Sequence, residues 1–529
     1  MKNSKFLDQI LIVSAYLFFI IPLILFFFGW LKLIVSVIFS ILLIMGFILC
    51  LRNWEFLAYK LSYKRTQFLI FTIILVGIWL VFSGIGGLGF QNDDFSGRNA
   101  MLRDLISHTW PVHYDYSDQP ILQEIFGDQG ALIYYFSFWL PSALVGKFFG
   151  WKVANYFLFL WTGIGVLLTI LLIARYVKKT NIGYLIIFIF WGGLDIIGFV
   201  LLNDLNLFGN TQPPFSTGLK AQLGLSLFNF LDNSQLEWWI PPFQYSAQTV
   251  QLFWVFNQAI PAWLMTALLL NIKNRKNIVF TYALILLFAP FPSIGLIPFV
   301  LYKLAFPINE STSPNLKRIF RETISFQNTI IPLILVVTSY LFFSATISSN
   351  PHNFIWELYG QLGKYLPQRI VLFLVLEFGI AILLVYQKNN KFLWLATFIT
   401  LTIIPLYHYG NHNDFVMRVS IPALLIVYIL LIKKISTINL FSPKNLRNLL
   451  FSFILILYLF FSSFSGIHEF LRSRDKLIEY QGFPPPTDLW VSYEVNTDGD
   501  GMKIKNLTNF IAGNPKNTVF FKTIGKNDF

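Results

Sequence analysis

The stretch that follows an apolar run at Phe68 to Phe90 combines acidic, basic and aromatic side chains. Its adjacent carboxylates, Asp93 and Asp94, can act as a general base or bind a cation. Two like charges so close also push one pKa upward. A solvated loop with a helix N-cap at Asp93 or Asp94 is the simpler alternative. The same loop supplies further candidates for substrate binding, namely Arg98, Arg103, His108 and His113.

A second set of candidates lies near the middle of the chain. Asp195 interrupts an apolar run after Trp191, and an ionisable group inside a membrane span is costly and indicates a functional site by default. Structural pairing inside a helix bundle is the alternative for Asp195. The polar stretch that follows adds Asp204 and Glu237. Gln258 comes shortly before a proline, which predicts a polar, kinked helix facing the protein interior.

A third set lies late in the chain and comprises His412, Asp414 and Arg418. Arg418 directly precedes an apolar run, and an arginine at that depth suits a fixed phosphate or carboxylate partner. An ion pair with Asp414 four residues earlier, or snorkelling, remains open as the alternative. The sequence contains no HExxH or CxxC metal spacing and no P-loop, which disfavours an ATP-driven pump.

The composition places these residues in a membrane protein. Of the 529 residues 56% are hydrophobic and only 12% charged, about half the charged fraction of soluble domains. Runs of ~20 apolar residues, enough to cross ~30 Å of hydrocarbon, recur along the chain. We therefore predict an all-α polytopic bundle of about 13 spans near residues 10–28, 31–51, 68–90, 153–176, 182–202, 249–271, two short arms within 278–306, 329–345, 370–387, 392–409, 419–431 and 449–464.

Loop charge predicts the topology. Lys and Arg gather in short loops, so the net charge of +13 reflects the positive-inside rule and not a nucleic-acid partner. This places the N-terminus in the cytoplasm and the C-terminus outside, in a multi-pass protein of the plasma membrane. Residues 131–149 are predicted to lie at the outer interface, because a full crossing there would put the basic residues after 174 outside. We expect a two-helix addition at 1–66, a main module at 67–466 with external loops 91–130 and 204–245, and an external segment at 467–529.

Several of these features together resemble the GT-C superfamily of membrane glycosyltransferases. In that family a catalytic acidic residue follows a span, as Asp93 and Asp94 do here, and an interfacial helix comes next. The stretches Gly130-Ala131-Leu132-Ile133-Tyr134-Tyr135 and Leu140-Pro141-Ser142-Ala143-Leu144 are similar to that helix. A late arginine before a proline-bearing span is matched by Arg418 and Pro422. The chain differs in having no double proline before Leu132 and no spaced acidic pair.

The resemblance implies a divergent enzyme that uses polyprenyl-phosphate-linked sugars at the outer face. Asp93 or Asp94 would orient or deprotonate the hydroxyl of a glycan, lipid or protein acceptor. Arg418, with His412 or Arg369, would hold the donor phosphate. A divalent cation is an open alternative, and no other cofactor is expected. Two rival functions remain, a flippase or other transporter of lipid-linked oligosaccharides and an inactive scaffold of envelope biogenesis.

Overall fold

The computed structural model describes residues 5–58, 63–92, 94–205, 207–208, 236–310, 313–346, 351–358, 365–410, 413–438, 445–479 and 509–526. Of the predicted site residues, Asp93 and His412 lie outside these ranges, and so does the side chain of Asp204.

The described chain is mostly helical. Its α-helices are α1 (Phe6–Trp30), α2 (Leu33–Arg52), α3 (Tyr63–Phe82), α4 (Asp94–Ser107), α5 (Pro120–Phe126), α6 (Leu140–Val177), α7 (Ile182–Phe190), α8 (Asp195–Phe199), α9 (Gln248–Asn271), α10 (Ile278–Ala283), α11 (Pro290–Ala305), α12 (Leu316–Thr323), α13 (Phe326–Phe343), α14 (Leu366–Leu374), α15 (Ile380–Leu384), α16 (Lys391–Ile403), α17 (Asp414–Val419), α18 (Ile421–Thr437), α19 (Leu446–Ser462), α20 (Phe464–Glu479) and α21 (Val519–Thr523).

Short strands add two small antiparallel sheets that the sequence analysis did not predict. The first has the order β1 (His113–Asp115), β2 (Gln129–Leu132) and β5 (Ile511–Gly513). The second pairs β3 (His352–Phe354) with β4 (Tyr407–Tyr409). The second sheet corrects the predicted span 392–409, since helix α16 ends at Ile403 and the chain then becomes extended.

Nine helical segments of the described ranges are long and apolar enough to cross a membrane, which makes this a mostly helical, multi-pass membrane protein. Large apolar side chains such as Ile34 and Leu333 are exposed on them, and such surfaces suit lipid contact. The predicted count of 13 is not confirmed. Its other four crossings, the two arms within 278–306 and those near 392–409 and 419–431, correspond to the shorter helices α10, α11, α16 and α18.

Two helix breaks occur where the sequence predicted interruptions. Gly150 has φ +81°, which divides α6 into a part before and a part after that residue. The earlier part packs on α4, because Lys147 Nζ donates to the carbonyl oxygen of Ile106 at 3.3 Å. The second break precedes Pro290, and Arg275 Nε donates to the carbonyl oxygen of Leu304 at 2.6 Å. The two ends of the 278–306 hairpin therefore meet.

Contacts between distant segments define two opposite ends of the bundle. At the basic end, named for Arg175, Lys273 and Arg275, Arg175 Nε donates to Asp8 Oδ1 at 2.7 Å and Lys273 pairs with Glu55 at 2.7 Å. At the loop end, named for the segments 91–136 and 509–526, strand β5 pairs with β2, and the backbone N–H of Lys526 donates to Trp30. Helix α1 joins the two ends, since Asp8 lies in its first turn and Trp30 in its last.

The predicted segments at the two termini are packed into this bundle. Helix α1 contacts α6 and α9 as well as α2, so the first two helices share the core of the rest. Helix α20 continues past residue 466 to Glu479 and contacts α3, α7 and α9. Ser473 Oγ donates to the carbonyl oxygen of Phe82 at 2.7 Å. The predicted topology, including which end faces the cytoplasm, stays a prediction.

Candidate functional site

Helix α4 holds the first half of the site. Asn92 Nδ2 donates to the carbonyl oxygen of Phe253 at 3.0 Å, which ties the start of the loop to α9. The amide of Asp94 donates to Asn92 Oδ1 at 3.2 Å, so Asn92 caps the helix N-terminus. One turn later Arg98 Nη2 pairs with Asp94 Oδ2 at 2.9 Å. The capped first turn thus fixes an Asp–Arg pair at the loop end.

A break in α9 supplies the acceptors that hold this half in place. Val255 is non-helical, with φ −141° and ψ 35°, so the carbonyl groups just before it lack regular helical partners. Asn92 donates to Phe253 and Arg98 donates to the carbonyl oxygen of Trp254. The Arg98 guanidinium also lies 5.4 Å from the centroid of the Phe256 ring. Irregular backbone in α9 is therefore satisfied by the polar loop that packs on it.

Helix α17 holds the second half. Arg418 Nη2 pairs with Asp414 Oδ1 at 2.9 Å, four residues apart as in the Asp94–Arg98 pair. Arg418 Nη1 donates to the hydroxyl of Tyr135 at 3.4 Å, a long hydrogen bond. The ion pair that the sequence analysis left open as an alternative is present. This pair occupies only Nη2 of Arg418, because Nη1 donates to Tyr135 in the segment between β2 and α6.

Residues of both ion pairs influence the pKa values of Tyr135 and Arg418. Burial raises the pKa of the Tyr135 hydroxyl, whereas the charges of Arg418 and Arg98 both lower it. Burial lowers the pKa of Arg418, but the carboxylates of Asp414 and, more weakly, Asp94 raise it above its ordinary value. The charges of Arg418 and Arg98 thus both act on Tyr135, and Arg418 also contacts it. We call Asp94, Arg98, Tyr135, Asp414 and Arg418 the Asp/Arg cluster.

Exposure and free donors give this cluster a polarity. The side chain of Asp94 is 50% exposed, while Arg98 and Arg418 are 13% and 16% exposed. Arg98 Nη1 and Arg418 Nε are buried and have no hydrogen-bond partner among the described residues. The cluster therefore combines one half-exposed carboxylate with two partly buried guanidinium groups that have unused N–H donors. The donors suit an anionic group of a ligand, and the carboxylate suits a neutral or hydroxyl-bearing part of the same ligand.

The other predicted residues of the first loop lie elsewhere. Arg103 places its guanidinium 4.8 Å from the centroid of the Trp151 ring, beyond the break in α6. His108 Nδ1 lies 3.1 Å from Ser107 Oγ at the end of α4. The His113 ring packs 5.9 Å from that of Phe521 in the C-terminal segment. These three side chains support the surrounding structure, and the structure does not bring them into the Asp/Arg cluster.

Asp195 and Glu237 belong to a second site, together with Glu377, and we call these three residues the carboxyl cluster. All three are at most 2% exposed. Ser465 donates to Asp195 Oδ2, and Trp239 Nε1 donates to Glu377 Oε1 at 2.8 Å. Glu237 accepts from the backbone N–H of Ala247 at 2.7 Å and from Gln244 at 2.9 Å. Most of these partners are neutral donors.

No basic side chain of the described ranges forms an ion pair with the carboxyl cluster. Burial and then the neighbouring Asp195 raise the pKa of Glu237 well above its ordinary value. Buried carboxyl groups without a counter-charge favour the protonated form. The described residues contain no group of three or more His, Cys, Asp or Glu side chains arranged to hold a metal ion.

Two predicted residues remain. Arg369 is buried in α14 and donates to the carbonyl oxygen of Pro241 at 3.1 Å, so it braces the loop before α9. Gln258 is buried in α9, and its Oε1 has no hydrogen-bond partner among the described residues. Neither forms a hydrogen bond or ion pair with the Asp/Arg cluster within the described ranges.

Sequence reasoning did not select Tyr135 or Glu377 for these sites. Glu377 lies inside the predicted span 370–387, so the rule that selected Asp195 applies to it equally. Tyr135 carried no such signal, because a tyrosine beside a membrane helix is expected in any interfacial belt.

Fold and site together define a multi-pass helical membrane protein that has a paired Asp/Arg site at its loop end and a carboxyl cluster in its interior. Comparison with known proteins finds no family model, no characterised protein and no solved structure that matches this chain.

Proposed function

We propose that the chain is a membrane glycosyltransferase of the GT-C type, which transfers a hexose or pentose from a polyprenyl-phosphate donor to an envelope acceptor. The observation that carries this proposal is that two Asp–Arg pairs lie at the loop end, that Arg418 donates to the Tyr135 hydroxyl, and that the charges of both arginines act on that tyrosine. We assign this end to the outer face of the plasma membrane on the charge of the opposite end.

The proposed reaction uses the polarity of the cluster. The acceptor hydroxyl oxygen forms a bond to C1 of the sugar while the bond from C1 to the phosphate oxygen breaks. The hydroxyl proton passes to Asp94 or to Asp93, and the electron pair of the broken bond stays on the lipid phosphate. Arg98 and Arg418 stabilise the charge that develops on that phosphate. Arg98 Nη1 and Arg418 Nε, which are buried and have no hydrogen-bond partner among the described residues, are the donors proposed for this contact.

The proposal is tested with the full chain in proteoliposomes that contain a panel of polyprenyl-phosphate-linked hexoses and pentoses. We expect at least one donor to be consumed, with release of polyprenyl phosphate that depends on an added glycan or lipid acceptor. The control is Arg418→Gln, which should fold normally but lose most of that release. Absence of release from every donor, or equal release by the variant, contradicts the proposal.

The carboxyl cluster favours a second function, that of a transporter for lipid-linked oligosaccharides driven by a proton gradient. Protonatable groups buried beside broken helices are typical of such proteins. Here α7 ends at Phe190 and α8 begins at Asp195, so the helical run is interrupted beside the cluster. The two functions are separated by asking whether a pH gradient moves a fluorescent lipid-linked oligosaccharide across the proteoliposome membrane. Movement that Glu377→Gln abolishes supports the transporter, whereas movement independent of the gradient and of Glu377 opposes it.

A further inference from the structure

Helix α12 is a short amphipathic helix at the basic end. Its apolar side chains lie on one face, where Leu316 and Phe320 are separated by one turn and Ile324 follows at the C-cap. Leu316 is 82% exposed, Phe320 70% and Ile324 50%. In water such a face destabilises a protein, but on a membrane protein it suits the boundary between headgroups and acyl chains.

The opposite face of α12 is anchored to the bundle. Glu322 accepts from Arg318 at 2.7 Å within the helix and from Arg275 at 2.5 Å. Arg275 in turn donates to the carbonyl oxygens of Leu304 and Ala305 at the end of the 278–306 hairpin. An isolated helix of eight residues is unstable in water, so these contacts fix its orientation. Its apolar face is therefore presented outward by the fold.

The edge of the exposed apolar face is basic. Lys317 and Arg321 are exposed, lie one turn apart and have no ion-pair partner among the described residues. With Arg318 and Glu322 counted, α12 carries three positive charges and one negative charge, a net of +2. A zwitterionic headgroup offers no net charge to balance this excess, whereas an anionic phospholipid does.

We propose that α12 is a binding site for anionic phospholipids of the bilayer. Leu316, Phe320 and Ile324 insert into the acyl boundary, and Lys317 and Arg321 bind the phosphate groups of lipids such as phosphatidylglycerol. This site lies at the end of the bundle opposite to the Asp/Arg cluster, and it does not depend on the proposed enzyme activity.

The depth of the helix is tested with an environment-sensitive fluorophore on a cysteine. The only native cysteine, Cys50, is buried, so an introduced cysteine is labelled selectively in the full chain. In vesicles of equal parts phosphatidylcholine and phosphatidylglycerol, a probe on Phe320→Cys should emit as in an apolar medium and be quenched by lipids spin-labelled near the headgroup. The control probe on Lys388→Cys, an exposed position outside α12, should emit as in water. Aqueous emission from both positions overturns the proposal.

The preference for anionic headgroups is tested with the same Phe320→Cys probe. Spin-labelled phosphatidylglycerol should quench it more than spin-labelled phosphatidylcholine at equal concentration. Lys317→Gln with Arg321→Gln should reduce that preference by roughly five-fold for each charge removed at low salt. The control pair Lys178→Gln with Lys388→Gln, exposed lysines outside α12, should retain it. Both variants keep the side chains that anchor α12 to the bundle, and a thermal unfolding scan checks that they fold. Equal quenching by the two lipids in the unsubstituted helix overturns the proposal.

Discussion

The Asp/Arg cluster and the carboxyl cluster both draw their side chains from segments far apart in the sequence, but they balance charge differently. In the Asp/Arg cluster each carboxylate has an arginine one turn away on the same helix. In the carboxyl cluster three acids lie in the interior, where hydroxyl, indole and amide groups donate to them. Each acid of the first cluster thus has a local counter-charge, whereas in the second cluster burial raises the pKa of Glu237.

This difference in charge balance determines which ligand each cluster can bind. The arginines of the Asp/Arg cluster hold two buried N–H donors that have no hydrogen-bond partner among the described residues, so we expect this cluster to accept an added anion. The carboxyl cluster is closed to solvent, and an added anion there would meet three acids. We therefore expect substitutions in the first cluster to change activity and substitutions in the second to change the pH dependence of stability.

The largest of these effects is expected for Arg418→Gln. The variant lacks the charged guanidinium that binds the phosphate of the polyprenyl-phosphate sugar. We expect kcat/KM for that sugar to fall by roughly 10- to 100-fold, the worth of one charged hydrogen bond. Arg103→Gln is the matched control, because Arg103 lies on α4 but faces Trp151, and its kcat/KM should stay close to wild type. The comparison of kcat/KM for the two variants checks this. An unchanged kcat/KM for Arg418→Gln would mean that the phosphate binds elsewhere.

A smaller effect is expected for Glu237→Gln, and it lies in stability. Because the pKa of Glu237 is raised on folding, its contribution to the free energy of unfolding is greatest below about pH 4.3 and falls as the pH rises toward the folded-state pKa. Glutamine removes that slope. At acidic pH the variant should lie within about 1 kcal/mol of wild type, and at higher pH its stability should fall less.

Thermal unfolding across the range from about pH 5 to pH 8 measures this difference. Asp118→Asn is the control, because Asp118 is exposed in the first loop, and its unfolding midpoint should follow the wild-type pH profile. Parallel profiles for wild type and Glu237→Gln would show that the carboxyl cluster does not take up protons on folding.

The smallest effect is expected for Tyr135→Phe. The variant keeps the ring and loses only the hydroxyl to which Arg418 donates across 3.4 Å. We expect a change of about 1 kcal/mol, or roughly five-fold in kcat/KM. Tyr340→Phe, at an exposed position on α13, should change nothing. A loss as large as that of Arg418→Gln would instead indicate that the Tyr135 hydroxyl itself contacts the reacting groups.

The sequence predicted the parts of the fold that depend on hydrophobic length and loop charge. Most apolar runs became helices near the predicted bounds, and the breaks at Gly150 and Pro290 fall where charge required them. The four shorter crossings became helices but are not confirmed as spans, and at 392–409 apolar length did not distinguish a full span from a short helix that leads into a strand. Residues 407–409 show this, since they pair as a strand with 352–354.

The candidate site was predictable only in part. Asp94 and Arg418 were each selected from local sequence, but that the charge of one acts on the other depends on the fold, which brings both to the loop end. Pairing through space between residues so distant in sequence leaves no local pattern. The carboxyl cluster shows the same limit, because Asp195 carried a signal on its own whereas its closeness to Glu237 and Glu377 follows from tertiary packing.

The central claim, that the loop after α3 is a catalytic centre for sugar transfer, is tested most directly with the double variant Asp93→Asn, Asp94→Asn. The side chain of Asp94 is half exposed, so the variant should be produced and unfold as wild type does. Transfer from a polyprenyl-phosphate sugar should fall by at least about 100-fold, the lower range for loss of a general base, while Asp118→Asn retains it. Transfer that survives the double substitution contradicts the account, and the transporter function would then be favoured.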